Sequence, residues 1–542
     1  MFRHHGLALC LGFGFAGLAA VGCRPGSPAA AAPAESLALE PATMPRIGTI
    51  EDRFESYNVE MLEVTGGKFW KPYDGKAGSF QQQKQSAAGA PAEEETPAGM
   101  DPKAYAYRPP IDLTNARRRK LAATLGPAYV RVSGTWANTT YLADSDLATQ
   151  TPPKGFGGIL TRSRWKEVVE FARAVDAKIV TSFATSPGTR DADGAWTPVE
   201  AGKFLAYTKS VGGTIAAAEF MNEPTFAAMG GAPKGYNAAA YGRDFKAFRA
   251  FARQAAPDMV ILGPGSVGET EGKWGLAYGR VPMLKTRDLL AASGPGIDAF
   301  SYHHYGAGSQ RCAGPGMPGT TAEAALSEEW LARTDQTLSF YRKLRDDYEP
   351  GKPMWVTETA DAACGGNPWA SSFLDTFRYL DQLGRLSRQG VQVVMHNTLD
   401  ASDYGLLDED TLAPRPNYWG ALLWRRLMGT TVLDSGVPVQ SGLHVYAHGL
   451  RGTPGGVAML VINNDRAVVR TLKIPTAARR YTLSASPLQS TRVELNGREL
   501  KLDAGDELPE LAGVPVAAGD VSFAPATITF LALPEAGNRA CK

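Results

Sequence analysis

Eight short apolar runs recur along the chain, and polar loops or helical patterns separate them. Runs of this length without polar alternation are typical of strands buried on both faces of a parallel sheet. They cover residues 57–61, 128–132, 178–183, 217–221, 259–262, 299–303, 354–357 and 391–395. Eight is the number of strands in a closed (β/α)8 barrel, so this pattern predicts that fold.

Helical patterns lie between several of these runs. Residues 165–175 place apolar side chains on one face of a helix, and residues 373–386 do the same, with Gly390 positioned to end the second helix. Alternating strands and helices indicate an α/β protein with a parallel sheet. The active site of such a barrel lies at the C-terminal ends of its strands.

The pattern changes after residue 428. Short alternating runs such as 443–447, 457–462 and 527–531 are separated by turn residues, of which Asn496-Gly497 is the clearest pair. This pattern predicts an antiparallel β-sandwich. A chain of 542 residues exceeds the usual size of one hydrophobic core. We therefore predict a catalytic barrel over residues 46–428 and a sandwich over residues 429–542.

The N-terminus reads as an export signal. Residues 1–5 carry Arg3, residues 6–22 are apolar and small, and Cys23 closes the run. Residues 18–23 resemble a bacterial lipobox, which predicts a lipid on Cys23; ordinary signal cleavage and a retained anchor are the alternatives. Residues 24–45 are rich in Ala, Pro and Ser and read as a flexible tether. We expect an exported protein, anchored in a bacterial cell envelope or secreted.

The balanced charge implies that local groups must hold any polyanionic partner. The chain has 56 Lys and Arg against 55 Asp and Glu, a formal charge of +1, so no general attraction to nucleic acid or membrane is expected. Any contact with a membrane would run through the lipid. We expect a monomer that needs no cofactor and no metal.

The cysteines permit one bridge in the mature chain. Cys10 lies within the signal, and if Cys23 carries lipid then three cysteines remain, Cys312, Cys364 and Cys541. Cys312 and Cys364 both follow predicted strands at the same end of the fold, so they form the favoured pair. Three unpaired thiols are the alternative.

Two glutamates stand where apolar runs stop, Glu223 after run 217–221 and Glu358 after run 354–357. A glycosidase needs two carboxyls, one to protonate the departing oxygen and one to attack the anomeric carbon or activate water there. Each glutamate alone could instead cap a helix or form a salt bridge. Two such positions at the same end of a barrel favour the catalytic interpretation.

Other polar and aromatic residues at the strand ends allow two interpretations each. His303 and His304 suggest a metal, but no third ligand stands at a suitable spacing, so we favour contact with substrate or structural hydrogen bonds. His396 and Asn397 suit a sugar contact or a structural cap equally. Trp136, Trp369 and Trp419 suit sugar stacking or a buried core, and for Trp419 the core is favoured.

In these motifs the chain resembles the heparanase and β-glucuronidase family of retaining glycoside hydrolases, family 79, as a bacterial single-chain member. The resemblance covers residues 56–541 and is carried by segments 126–131, 222–224, 303–305, 358–359 and 390–419. It implies a (β/α)8 barrel with a β-sandwich to which residues before the first barrel strand contribute.

The resemblance also implies roles for individual residues. Glu223 matches the acid/base, whose pKa should be raised, and Glu358 matches the nucleophile, which must be ionised. Asn222 matches a residue that binds the sugar 2-hydroxyl, and Tyr305 matches a tyrosine beside the nucleophile. The remaining positions implied to line the substrate are Gly365, Gly366 and Tyr404 for a uronate carboxylate, together with His303, Glu60 and Thr135.

Two departures from the family pattern stand out. Cys364 occupies the position of a third glycine, which would stiffen or reshape the pocket. Residues 138–161 form a short connection without the long excised segment of mammalian heparanase, so activity as a single chain is expected. The same region lacks a lysine-rich stretch, which weakens the case for highly sulphated substrates.

These observations predict a retaining hydrolase of β-glucuronosyl linkages that acts by double displacement on a glucuronate-containing oligosaccharide or polysaccharide such as a glycosaminoglycan. Exo-acting β-glucuronidase and heparanase-like endo-acting activity both remain open, with a slight preference for exo action. A lipid-anchored glycan-binding protein without catalysis and a retaining barrel glycosidase of other sugar specificity are the alternatives.

Overall fold

The computed structural model describes residues 37–73, 101–145, 151–276, 282–312 and 317–542. Eight parallel strands close into a barrel in chain order, and the eighth strand pairs with the first. In that order the strands are Glu55–Glu60, Ala128–Ser133, Ala177–Ser182, Ile215–Glu219, Val260–Ser266, Ala299–Tyr305, Met354–Ala360 and Val393–His396. Every predicted apolar run overlaps one of these strands, which confirms the predicted (β/α)8 barrel.

Helices follow the barrel strands as the alternating pattern predicted. The main ones are Ala116–Ala123, Arg162–Ala174, Val199–Ser210, Ala238–Ala255, Thr286–Ser293, Arg333–Tyr348, Phe373–Arg388 and Pro416–Leu427, with short helices at Met61–Thr65 and Glu328–Leu331. Gly390 has a left-handed φ of +79° just beyond helix Phe373–Arg388, as expected for a glycine that ends a helix. Within the described ranges, no helix combines the length and apolar character that crossing a bilayer requires.

Two two-stranded sheets lie in the loops that follow barrel strands, Gly67–Trp70 with Tyr105–Arg108 and Thr140–Leu142 with Gly158–Leu160. The sandwich consists of two sheets that pack face to face. The larger contains Arg46–Thr49, Met428–Leu433, His444–Leu450, Val457–Asn463, Thr527–Leu533, Ala478–Ser484, Glu494–Leu495, Arg498–Glu499 and Val514–Val516. The smaller contains Leu37–Ala38, Arg470–Ile474 and Gly519–Phe523. Apolar side chains from both sheets share one buried core. All strand pairs in the two sandwich sheets are antiparallel except Leu37–Ala38 with Arg470–Ile474.

The N-terminal boundaries differ from the predicted ones. Residues 37–45, which we assigned to the tether, belong to the sandwich, where Leu39 and Met44 are buried in the core between the two sheets. Strand Arg46–Thr49 pairs with Met428–Leu433, so the barrel begins only at Glu55. Isolated apolar residues between prolines and alanines give no periodic pattern, which explains the misassignment. The predicted signal, Cys23 and residues 24–36 lie outside the described residues.

Barrel and sandwich share a second and larger core. The face of the nine-stranded sheet that turns away from the smaller sheet carries Tyr446, Leu460 and Phe530, and these side chains belong to the same buried cluster as Leu380 and Trp424 from the barrel helices. The two parts are therefore joined by hydrophobic packing rather than by a flexible linker.

Candidate active site

Glu223 and Glu358 lie side by side at the C-terminal end of the barrel. Glu223 follows the fourth strand and has a left-handed φ of +48° just before Pro224, a conformation that is uncommon outside glycine and is often found at functional sites. Glu358 lies within the seventh strand. One oxygen of each carboxyl and a ring nitrogen of His303 all lie within 4.8 Å of one another. The two carboxyls are therefore close enough to act on the same glycosidic bond.

Arg131, in the second strand, is the buried cation of the site. Its guanidinium donates to Glu358 Oε2 at 2.8 Å, to Glu219 Oε2 at 2.9 Å and to Asn222 Oδ1 at 2.7 Å. Burial by itself would raise the pKa of Glu219, but the Arg131 charge and hydrogen bonds to the carboxylate together outweigh it, and the pKa lies below its ordinary value. Arg131 therefore compensates the buried Glu219 carboxylate and also contacts Glu358.

His303, in the sixth strand, contacts the other glutamate. Its Nδ1 lies 3.0 Å from Glu223 Oε1, and its Nε2 lies 3.3 Å from a guanidinium nitrogen of Arg131. A guanidinium can only donate, so Nε2 accepts and Nδ1 carries the proton of the neutral ring. Burial lowers the pKa of His303, which favours this neutral form. Nδ1 then donates to Glu223 Oε1, and Glu223 Oε2 remains as the oxygen that can carry an acid proton.

Tyr305 and Asn397 complete the surroundings of Glu358. The Tyr305 hydroxyl donates to Glu358 Oε1 at 2.7 Å, so both oxygens of this carboxylate accept hydrogen bonds from the protein. Asn397 follows the eighth strand, and its Nδ2 lies 3.1 Å from the hydroxyls of Tyr305 and Tyr404 and from Glu60 Oε1. A single amide thus holds three of the predicted site residues together.

Two carboxyls of the site have raised pKa values. Burial raises the pKa of Glu223 to about 7. Burial, followed by the nearby Glu358 charge, raises the pKa of Glu60 to about 8. Below about pH 7 the site therefore combines a protonated Glu223 with a Glu358 that accepts from a cation and a phenol. A raised pKa of Glu223 is what the family resemblance implies for an acid/base.

A pocket opens above the two glutamates. Six of the predicted site residues line it, namely Glu60, Thr135, Glu223, Tyr305, Glu358 and Tyr404. Trp70, Tyr105 and Trp136 form an aromatic wall on the same pocket, with ring centroids 4.6 Å apart for the stacked Trp70 and Tyr105 and 6.3 Å apart for Tyr105 and Trp136. Trp70 and Tyr105 come from the hairpin of Gly67–Trp70 and Tyr105–Arg108.

The loop that follows the seventh strand borders the pocket through Cys364. Cys364, Gly365 and Gly366 have φ values of +66°, +77° and +84°. A side chain at Gly365 would lie 2.6 Å from Trp70 Cγ, and one at Gly366 would lie 3.0 Å from the ring of Tyr404, so only glycine fits at either position. Cys364 is joined to Cys312 by a disulfide, the pair favoured by the sequence analysis.

Other candidates from the sequence have structural positions. His304 Nδ1 lies 2.9 Å from Thr337 Oγ1, and His396 Nε2 lies 2.8 Å from the backbone oxygen of Tyr404, so both histidines hold neighbouring elements in place. Trp369 and Trp419 are buried in the main hydrophobic core. Asn222 is fixed by Asn138, which accepts from its backbone N–H at 2.8 Å and donates to its carbonyl at 2.9 Å.

Sequence reasoning missed four residues of the site: Arg131, Glu219, Trp70 and Tyr105. A signal existed for Arg131, since an arginine inside an apolar strand needs a buried partner. Glu219, in the middle of the fourth run, carried the same signal. Trp70 and Tyr105 gave none, because the two strands of their hairpin are far apart in the sequence.

One group of potential metal ligands occurs among the described residues, and it coincides with the site: Glu223, His303 and Glu358. Both oxygens of Glu358 already accept from Arg131 and Tyr305. A divalent cation would also sit beside the Arg131 guanidinium and be repelled by it. The donor set therefore suits proton transfer and carboxylate attack better than metal binding.

Comparison with known proteins identifies a family model, relatives in sequence and a solved structure of the same fold. The model of "Glycosyl hydrolase family 79, N-terminal domain" matches residues 149–384. Heparanase-like protein 1 of Arabidopsis thaliana is 27% identical over 491 residues, which cover 80% of this chain and 86% of that protein. Hyaluronoglucuronidase of Hirudo nipponia is 25% identical over 477 residues, which cover 80% of this chain and 92% of that protein. A 4-O-α-L-rhamnosyl-β-D-glucuronidase of Fusarium oxysporum 12S has the same fold, with a TM-score of 0.60 at 12% identity over 92% of this chain and 100% of that one.

The fold, the buried pair of glutamates and these relatives define the protein as a glycoside hydrolase built on a (β/α)8 barrel. The model of the family 79 N-terminal domain matches residues 149–384, and the heparanase-like relative is similar along 80% of this chain. The chain is therefore similar in sequence to glycoside hydrolase family 79.

Proposed function

We propose that this enzyme hydrolyses β-glucuronosyl linkages with retention of configuration, with Glu223 as acid/base and Glu358 as nucleophile. One observation carries the proposal: one oxygen of each carboxyl lies within 4.8 Å of an oxygen of the other, and the two carboxyls have different surroundings. Glu223 has a pKa raised to about 7, whereas Glu358 accepts from Arg131 and Tyr305.

In the first step protonated Glu223 donates to the glycosidic oxygen while Glu358 attacks the anomeric carbon. The C–O bond to the leaving group breaks, and a glycosyl ester forms on Glu358. Arg131 and Tyr305 then lose the full negative charge of their partner. In the second step Glu223, now ionised, takes a proton from water, and the water oxygen replaces Glu358 at the anomeric carbon.

Asn222 lies beside the acid, where its side chain is held by Arg131 at 2.7 Å. That contact uses the amide oxygen, so the NH2 group remains to donate to the sugar 2-hydroxyl. A hydrogen bond to the 2-hydroxyl strengthens as charge develops on the sugar ring. Arg131 therefore orients the amide in addition to its contact with Glu358.

Glucuronate specificity rests on Tyr404 and on the loop that follows the seventh strand, residues 363–366, which we call the glycine loop. Tyr404 is packed against Gly366, and its hydroxyl lies 3.1 Å from Asn397 Nδ2. Backbone amides and a phenol can bind a carboxylate without a buried arginine in the pocket. The name of the Hirudo nipponia relative, hyaluronoglucuronidase, supports this sugar specificity.

The test is hydrolysis of 4-nitrophenyl β-glucuronide by protein lacking residues 1–23, with the anomer of the first product read by NMR. We expect the β-anomer first. Glu358→Gln should lose nearly all turnover. Glu223→Gln should retain more with this good leaving group than with an alkyl glucuronide, and azide should restore its turnover as the β-glucuronosyl azide. Glu329→Gln, at an exposed position, is the matched control.

An α-anomer as first product would overturn the retaining mechanism. Full activity of Glu358→Gln would overturn the assignment of the nucleophile. Turnover of other 4-nitrophenyl glycosides without turnover of the glucuronide would assign the barrel to another sugar. Size analysis of products from defined oligosaccharides then separates release of terminal glucuronate from internal cleavage.

A further inference from the structure

The glycine loop, residues 363–366, is held from behind by the loop that follows the sixth strand. Ser309 donates its backbone N–H to Ala363 O at 2.9 Å and its hydroxyl to Cys364 O at 2.9 Å. Arg311 donates to Gly366 O at 2.8 Å and to Cys364 O at 3.3 Å. The Cys312–Cys364 disulfide adds a covalent link between the same two loops.

Arg311 also reaches two further segments. Its Nε donates to Lys71 O at 2.8 Å, and its guanidinium is paired with the carboxylate of Asp403. The guanidinium lies 3.8 Å from the ring of Tyr73, whose hydroxyl donates to Gly366 O at 2.9 Å. One arginine therefore connects the glycine loop with the segments that follow the hairpin strand Gly67–Trp70 and the eighth barrel strand.

These contacts fix the direction of two backbone amides. In a trans peptide the C=O and the N–H point in opposite directions. Cys364 O is held by Ser309 and Arg311, and Gly365 O accepts from Ser402 Oγ at 3.0 Å. The N–H groups of Gly365 and Gly366 therefore point away from these donors. No acceptor within the described part of the chain receives either N–H.

The glycine loop offers two backbone donors to an anion. Cys364, Gly365 and Gly366 all have positive φ, and the N–H groups of Gly365 and Gly366 have no acceptor among the described residues. Successive backbone N–H groups in a turn can bind anionic groups. The Arg311 guanidinium donates to Cys364 O, the carbonyl of the peptide whose N–H belongs to Gly365, and so polarises that peptide. Arg311 does not line the pocket itself, so it acts through the loop.

We propose that Arg311 and the Cys312–Cys364 bridge are positioning groups that hold the glycine loop with its amides toward the sugar carboxylate, and that they thereby set the preference for an acidic sugar. This inference rests on the proposed function. It explains how a cysteine takes the place of a third glycine, because the bridge holds Cys364 at its φ of +66°.

The test separates KM from kcat for 4-nitrophenyl β-glucuronide and its uncharged methyl ester in Arg311→Lys, Arg311→Met, Cys312→Ser and Cys364→Gly. For Arg311→Met we expect KM for the glucuronide to rise about tenfold, the effect of losing one charge-assisted hydrogen bond. Arg311→Lys should recover part of this loss. The two cysteine variants should show a smaller rise, and kcat should change less than KM. The methyl ester, as substrate or competitive inhibitor, should bind all variants as it binds the wild type.

Reduction of the Cys312–Cys364 bridge by dithiothreitol is an independent test that needs no substitution. Reduction should raise KM of the wild type to the value of Cys312→Ser and leave that variant unchanged. Cys541→Ser, which removes the free cysteine of the described chain, should respond to reduction as the wild type does. If Arg311→Met fails to fold, Cys364→Gly and the reduced wild type decide.

An unchanged KM for the glucuronide in the cysteine variants and in the reduced enzyme would overturn the positioning role of the bridge. Equal losses for the glucuronide and the methyl ester would overturn the link to the carboxylate. Both results leave a working β-glucuronidase, whereas a wild type that cleaves no glucuronide would reject the proposed function itself.

Discussion

At the scale of single residues, one arginine supplies the positive charge next to the buried carboxyls of the site. Arg131 pairs with Glu219 and Glu358 at once, while Glu223 and Glu60 have raised pKa values and are neutral at mildly acid pH. Arg131 thus supplies one positive charge against the two carboxyls that it contacts, and in the proposed mechanism one of these, Glu358, faces the anomeric carbon. Such a cluster stabilises the positive charge of an oxocarbenium-like transition state.

The raised pKa of Glu223 predicts the alkaline limit of activity. The acid must be protonated to act, so kcat/KM for an alkyl glucuronide should be level below pH 7 and fall about tenfold per pH unit above it. A pH profile between 5 and 9 measures this. The substrate carboxylate is ionised throughout that range and contributes no slope.

Variants assign this limit to its residue. Glu223→Gln should lose the alkaline limb together with most of its activity, whereas Glu60→Gln should keep the limb near pH 7, since the pKa of Glu60 is raised to about 8. A limb that persists in Glu223→Gln would assign the titration to another group.

At the scale of elements, a buried ionic cluster connects three barrel helices with the sandwich. Arg385 of helix Phe373–Arg388 pairs with Asp381 at 2.6 Å, with Glu328 at 2.7 Å and with Asp335. His444, on strand His444–Leu450, contacts Asp381 and lies 2.9 Å from Glu328 Oε2. Burial by itself would lower the pKa of His444, but the Asp381 charge and hydrogen bonds raise it to about 9. His444 is therefore a cation in the folded protein at neutral pH.

His444→Gln should lower the Tm at pH 7 by about 2–5 °C, since it removes one charged partner and leaves Arg385 on Asp381. The pH dependence of this stabilisation follows from the pKa of His444, which is higher in the folded state than in the unfolded state. The stabilisation is complete below about pH 6.5, the ordinary value, and is lost as the pH rises through about 9. The Tm difference between wild type and variant should therefore shrink at pH 10. An equal difference at pH 7 and pH 10 would contradict a charged His444.

The elements were predictable to the extent that their burial is visible in local sequence. The eight strands could be found because each is a continuous apolar run, and Glu223 and Glu358 stand at the ends of two of them. Arg311 was not predictable, because its partners at Lys71, Gly366 and Asp403 are joined only by the folded chain. The hairpin with Trp70 and Tyr105 was missed for the same reason. Local patterns thus locate the chemistry, and long-range contacts decide its specificity.

At the scale of the whole molecule, barrel and sandwich behave as one packing unit. Tyr446, Leu460 and Phe530 of the large sheet share a buried cluster with helices of the barrel. Gly384, in helix Phe373–Arg388, lies so close to the ring of Tyr446 that an added Cβ would be 2.3 Å from it. The N-terminal strand Arg46–Thr49 crosses to the sandwich before the barrel begins. Interfaces of this kind make separate unfolding of the two parts unfavourable, because each would expose half of a common core.

We therefore expect one cooperative unfolding transition for residues 37–542. Hydrogen exchange with mass spectrometry during thermal or urea unfolding measures it. Peptides from barrel strand Ile215–Glu219 and from sandwich strand Val457–Asn463 should lose protection together. Gly384→Ala should lower both midpoints equally, because the added methyl pushes the helix away from Tyr446 and weakens the shared core. Gly436→Ala is a control for the loss of a glycine, because a Cβ added at Gly436 would have no atom within 4 Å. Its φ of +72° adds a cost in backbone strain that does not involve the interface. Two separate midpoints in the wild type would show that the sandwich is an independent domain, and the common core would then contribute little to the stability of the barrel.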